Sequence, residues 1–83
     1  MHSAKANEIH DRVVNDGKTD YWIGVAKNFV KKKHWYRGGP DWIRDRAGLV
    51  DRLKTELSDQ LSDANDGDWG EVADWLFGLA IPK

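Results

Sequence analysis

Ile43, Ala47, Val50, Leu53, Leu57, Leu61 and Ala64 follow one another at steps of three or four residues. That step is the period of one helix face. No run in the chain alternates convincingly at the period of two that a half-buried strand requires. The spacing therefore predicts a helix over about Pro40–Ala64, the longest in the molecule. A single apolar stripe of this kind is stable only when other elements cover it. The chain has 83 residues, room for one domain and one modest core, so residues 1–83 read as a single helical unit. It has no cysteine to brace that core. Five Trp, two Phe and two Tyr must supply the bulk.

Three shorter helical segments accompany the long one, which predicts an all-α domain of about four helices. The first runs from Ser3, a suitable N-cap, to about Asn15. Ala6, Ile9 and Val13 lie on one face, Glu8 and Arg12 are spaced for a surface pair, and Gly17 is suited to a left-handed stop. The second starts after Thr19, with Asp20 in its first turn, where the helix dipole favours an anion. Trp22, Val25, Ala26 and Phe29 form its face, with Ile23 and Val30 beside them. So much apolar girth marks this segment as the expected central helix. The fourth spans Asp68–Phe77, with capping-box spacing between Asp68 and Glu71 and Gly78 as its expected end. Expected core residues are Ile43, Val50, Leu57, Leu61, Val72 and Leu76, with Trp22 and Trp69 also inside.

The net charge of −1 hides a split. Residues 1–37 hold eight Lys/Arg against four Asp/Glu, and residues 38–83 hold five against ten. From Thr55 to Pro82 there are seven carboxylates and no Lys or Arg: Glu56, Asp59, Asp63, Asp66, Asp68, Glu71 and Asp74. Two readings follow. Either the two halves attract each other within the domain, or the carboxylates form an acidic face for a basic partner. The opposite pole is the segment Lys27–Arg37, in which Lys31, Lys32, Lys33, Trp35 and Arg37 could neutralise phosphates and stack on a base. Lysines at the end of a helix also complement its dipole without any ligand.

Catalytic and metal chemistry lack support in the residues. His2, His10 and His34 fall in different segments without ligand spacing. No nucleophile turn or phosphate loop is present, and the carboxylates sit on polar helix faces where nothing raises a pKa. No enzyme activity, metal or cofactor is expected. The first twenty residues are polar, and the longest apolar run, Trp75–Ile81, is far too short to span a bilayer. A cytoplasmic protein with no membrane partner is the expectation. Trp35, Trp42 and Trp75 are the aromatic residues least tied to the apolar faces, and exposed Trp beside charge suits a protein-binding hot spot.

The segment "DWGEVADWLFG", beginning at Asp68, resembles an Asp-Trp-x-Glu-Val/Ile-Ala-x-x-Leu ending found in small helical proteins encoded by phages and other mobile elements. The resemblance implies an accessory protein of that kind, and some of these are stoichiometric inhibitors of host defence, including anti-CRISPR proteins. Together with the charge layout, it makes a non-enzymatic protein-binding module the first expectation. Such a module would be an inhibitor whose acidic face meets the basic surface of a host nucleic-acid-handling complex. Direct nucleic-acid binding through the basic segment is the alternative. A structural or self-associating helical unit is the second alternative.

Overall fold

A computed structural model describes residues 3–31, 38–57 and 63–81. They form four helices, α1 (Ala4–Asn15), α2 (Thr19–Val30), α3 (Pro40–Leu57) and α4 (Asp66–Ala80), with no strand among the described residues. The all-α class and the rank of α3 as the longest helix agree with the sequence spacing.

The helix ends show which local signals won. Ser3 adopts extended backbone angles, and its Oγ accepts the Ala6 N–H at 3.2 Å, so it caps α1 as expected. Gly17, at φ +68°, reverses the chain after α1. A side chain there would be strained even though the space around it is open. Thr19 does not cap α2. The short link draws it into the first turn and leaves Lys18 at the N-cap position, without a side-chain bond. The α4 capping box also sits three residues earlier than its expected place. Asn65 Oδ1 accepts the Asp68 N–H at 2.9 Å, and Asp68 Oδ2 accepts the Asn65 N–H at 3.0 Å. Asp68 is thus the inner member of the box, not its cap, and α4 gains a half-turn at its start. Gly78 does not end the helix. It keeps helical backbone within α4, and the Ile81 N–H closes the last turn on Phe77 O at 2.9 Å.

α3 is shorter than its predicted span, which reached Ala64. The pairs Arg46–Asp74 and Lys54–Asp66 show α3 and α4 running antiparallel. The chain must therefore turn back before Asn65, and Ala64 lies in that connection, packed against the core. Leu61 falls outside the described residues.

The central helix is α4, not α2: it packs against each of the other three. Trp69, Val72, Ala73, Leu76 and Phe77 are essentially inaccessible to solvent. Each large side chain among them contributes roughly 1.5–3 kcal/mol by leaving water. α2 buries only Trp22, Val25 and Ala26. Small residues bring the helices close together. A Cβ on Gly70 would run into the Arg46 guanidinium, and one on Gly48 would press on the Phe29 ring at 3.1 Å. The other core expectations divide. Val50, Val72 and Leu76 are buried, Leu57 is partly buried, and Ile43 is 62 % exposed. Ile43 was expected inside because it shares a three-four step with Ala47 and Val50. The face that meets the core is instead centred on Leu49 and Leu53. At 3.6 residues per turn, Ile43 stands about 120° round the helix from Leu49.

Candidate functional site

The six carboxylates of the acidic segment that lie among the described residues do not gather on one face. Asp68 is buried between two helix starts, where it receives the Ser3 hydroxyl in a short hydrogen bond and completes the capping box of α4. These contacts, the Ser3 bond first, hold its pKa below the usual 3.8. Glu71 accepts the Ser3 backbone N–H at 3.2 Å. Asp74 takes both arms of Arg46, at 2.8 and 3.1 Å. Glu56 pairs with Arg52 at 3.2 Å and accepts the Tyr21 hydroxyl at 3.0 Å. Asp63 meets Lys5 at 2.8 Å, and Asp66 meets Lys54 at 2.7 Å. Asp59 lies outside the described residues. The Lys5 contact lowers the Asp63 pKa, while the hydrogen bonds to Asp63 and Glu8 raise that of Lys5.

The contacts of these six carboxylates have a common pattern. Lys5 and Ser3 come from the start of α1 and its cap, and Arg46, Arg52 and Lys54 come from α3. The carboxylates of α4 and the link before it thus pair with groups supplied by other parts of the fold. Glu56 alone takes its cation from its own helix.

Of the aromatic candidates, Trp35 lies outside the described residues, as do Lys32, Lys33 and Arg37. Lys31 is exposed and forms the C-cap of α2. Trp42 and Trp75 are partly buried and packed against the core. The Arg46 guanidinium lies 5.6 Å from the Trp42 ring centre, and the indole N–H of Trp42 is buried with no hydrogen-bond partner among the described residues. Trp75 meets the His10 ring edge-on, with centroids 4.4 Å apart. Neither indole stands free in solvent as the expected hot spot would.

The surface that sequence reasoning missed is the outer side of α3. Ile43 is the most exposed of the large apolar side chains among the described residues. Ala47, one turn on, is also exposed, and Val50 lies at the edge of the core. A groove of about 230 Å³ runs beside this strip, lined by Arg46, Ala47, Val50, Asp51, Lys54 and Asp66. A helical wheel centred on Leu49 and Leu53 places Ile43 outside, so the sequence carries this signal in a phase set by Leu49 and Leu53 rather than by Ala47 and Val50. A larger cleft of about 400 Å³, where the turn after α1 meets the end of α3, is lined by Asp16, Lys18, Tyr21, Trp22, Glu56 and Leu57. Its polar edge is occupied by the Tyr21–Glu56–Arg52 network, in which Arg52 also donates to the Tyr21 hydroxyl at 3.2 Å. Among the described residues, no three His, Cys, Asp or Glu side chains converge as metal ligands, and no helix is long and apolar enough to cross a membrane.

No protein-family model, curated protein or solved structure matches this chain. The residues that carry the tail resemblance are mainly internal. Asp68 belongs to the capping box, and Trp69, Val72, Ala73, Leu76 and Phe77 fill the core. That pattern is what a central helix of this bundle needs, whatever the domain binds.

Proposed function

We propose that the chain is a non-enzymatic protein-binding module that acts by occupying a partner's surface through the outer side of α3. The observation that carries this reading is Ile43, 62 % exposed on a regular, well-packed helix. A branched apolar side chain there adds nothing to the core, and its neighbours Arg44 and Asp51 supply the charged rim usual around an interface centre. A photo-crosslinking residue at Ile43 should give a discrete covalent adduct in the producing cell. The same residue at Asn28, exposed on α2, should not. No adduct at position 43, or equal adducts at both positions, would remove the reading.

A narrower form makes the module a stoichiometric inhibitor of a host nucleic-acid-handling complex, of the anti-CRISPR kind. What favours it is the accessibility of Asp63 and Asp66, whose side chains stay 72 % and 83 % exposed while paired with lysines. Their outer oxygens can still steer a basic partner. Changing both to Asn should slow association with such a complex and shrink its salt dependence, since rim charges act mainly on the on-rate. An unchanged on-rate would sink this form. Direct nucleic-acid binding through Lys31, Lys32, Lys33, Trp35 and Arg37 remains the alternative. Salt-dependent binding of labelled oligonucleotides, lost when the three lysines become Ala, would favour it.

A further inference from the structure

We infer that the partner seated on the outer side of α3 is a second copy of this chain, with the two α3 helices crossing antiparallel about Ala47. The inference rests on the α3 reading above and deepens it. Its basis is the charge order along the helix. Arg44 and Asp51 are both exposed on the outer side, seven residues apart, with Ala47 between them. A two-fold axis near Ala47 brings Arg44 of each copy level with Asp51 of the other, which makes two identical ion pairs from one sequence, as an isologous contact requires. A parallel pairing would instead set Arg44 beside Arg44 and Asp51 beside Asp51. Asp51 is available for this role. Its backbone carbonyl accepts the Thr55 hydroxyl; its carboxylate lies within electrostatic reach of the Lys54 ammonium but makes no ion pair among the described residues, the ammonium contacting Asp66 instead. Among the described residues Arg44 meets the half-exposed Asp41 at 3.1 Å and the buried Asp45 at 3.6 Å, and its own side chain stays 66 % exposed. At the crossing point Ala47 is small enough to let the two backbones approach, and Ile43 of each copy then covers the Ala47–Val50 strip of the other.

A contact made by one helix per copy falls at the small end of interface sizes, so association should be weak and concentration-dependent. Sedimentation equilibrium of the full chain, from roughly 5 to 500 µM, a range chosen to bracket micromolar dissociation constants, should show the average mass rising above the 9.5 kDa monomer. Asp51→Arg and Arg44→Asp should each weaken association at least tenfold, through like charges placed opposite each other. The double variant R44D/D51R should restore it, because the pair is swapped on both copies. Circular dichroism checks that each variant keeps its helix content. A wild-type chain that stays monomeric throughout, an Asp51→Arg variant that associates as well as wild type, or a double variant that stays as weak as the single ones would each overturn the inference. The α3 reading can survive that result. If the wild-type chain is monomeric and the Ile43 crosslinker still captures a different protein, the second copy falls and the binding surface stands.

Discussion

α3 and α4 run side by side with opposite allegiances. α4 carries Asp68, Glu71 and Asp74 among its core residues, yet all three carboxylates are engaged by Ser3 or Arg46, and the helix packs on three neighbours. α3 carries a longer apolar ladder, yet leaves Ile43 in solvent and Asp51 without an ion pair among the described residues. On these two helices a few residues break the usual rule: Asp45 and Asp68 are buried charges, and Ile43 is an exposed apolar side chain. Most groups on both helices have a partner within the domain; on α3, Ile43 and Asp51 stand apart, the first in solvent and the second without an ion pair among the described residues. These two groups on α3 are where an external partner is to be sought.

The largest effects on stability are expected at the centre of α4. Trp69→Ala and Phe77→Ala should each cost about 3–5 kcal/mol, the usual range for removing a buried aromatic side chain. For a small domain that is a large share of the total stability. Denaturant melts read it directly. Costs below about 1 kcal/mol would mean that α4 is not the central element. On α3, Leu53→Ala should cost roughly 2–5 kcal/mol, because Leu53 is inaccessible to solvent. Leu57→Ala should cost less than Leu53→Ala, since Leu57 is only partly covered.

The next effect is at the start of α4. Asn65→Ala removes one arm of the capping box and should cost about 1 kcal/mol. Asp68 adds a pH dependence whose sign is fixed. Its pKa in the folded protein lies below 3.8, so its contribution is complete above that value and is lost as the pH falls through the lower folded value. Asp63 acts in the same direction through Lys5. Stability should therefore be level near neutrality and decline below about pH 4, close to the ordinary carboxylate range. Asp68→Asn should flatten that acid decline. A variant with the wild-type acid profile would show that the Ser3–Asp68 node is not what titrates.

These same groups show how far the sequence could be read. The four helices, the Ser3 cap, the Gly17 reversal and the burial of Trp22 and Trp69 follow from local chemistry, and local chemistry is what spacing reveals. The capping box was misplaced because Asn65 and Asp68 both favour N-caps, and only the reciprocal hydrogen bonds decide which is the cap. The choice of α2 over α4 as the centre had a similar cause. The carboxylates of α4 look solvent-facing until Ser3 and Arg46, distant in sequence, are brought beside them. The outer side of α3 was read in the wrong phase because Asp45, a buried charge packed on the inner side with Leu49, disguised that side as polar. The two possible fates of the acidic segment, internal pairing or an external partner, depended on contacts between elements that no periodicity encodes.

The smallest expected effect on stability is also the one that bears most on function. Ile43→Asp should change the unfolding free energy by no more than about 0.5 kcal/mol, as for a surface substitution that disturbs no cap or core contact. Its position near the start of α3 even suits an anion, because the positive end of the helix dipole lies there. The variant should melt with wild type and yet lose self-association, because a carboxylate would now be carried into the apolar centre of the contact. A matched control sharpens the result. Leu79→Asp alters another exposed apolar residue, 47 % exposed on α4, and should leave association intact. If Ile43→Asp instead destabilises the domain as Leu53→Ala does, Ile43 belongs to the core after all. The contrast between an internally satisfied α4 and an outward-facing α3 would then fail at the residue that carries it.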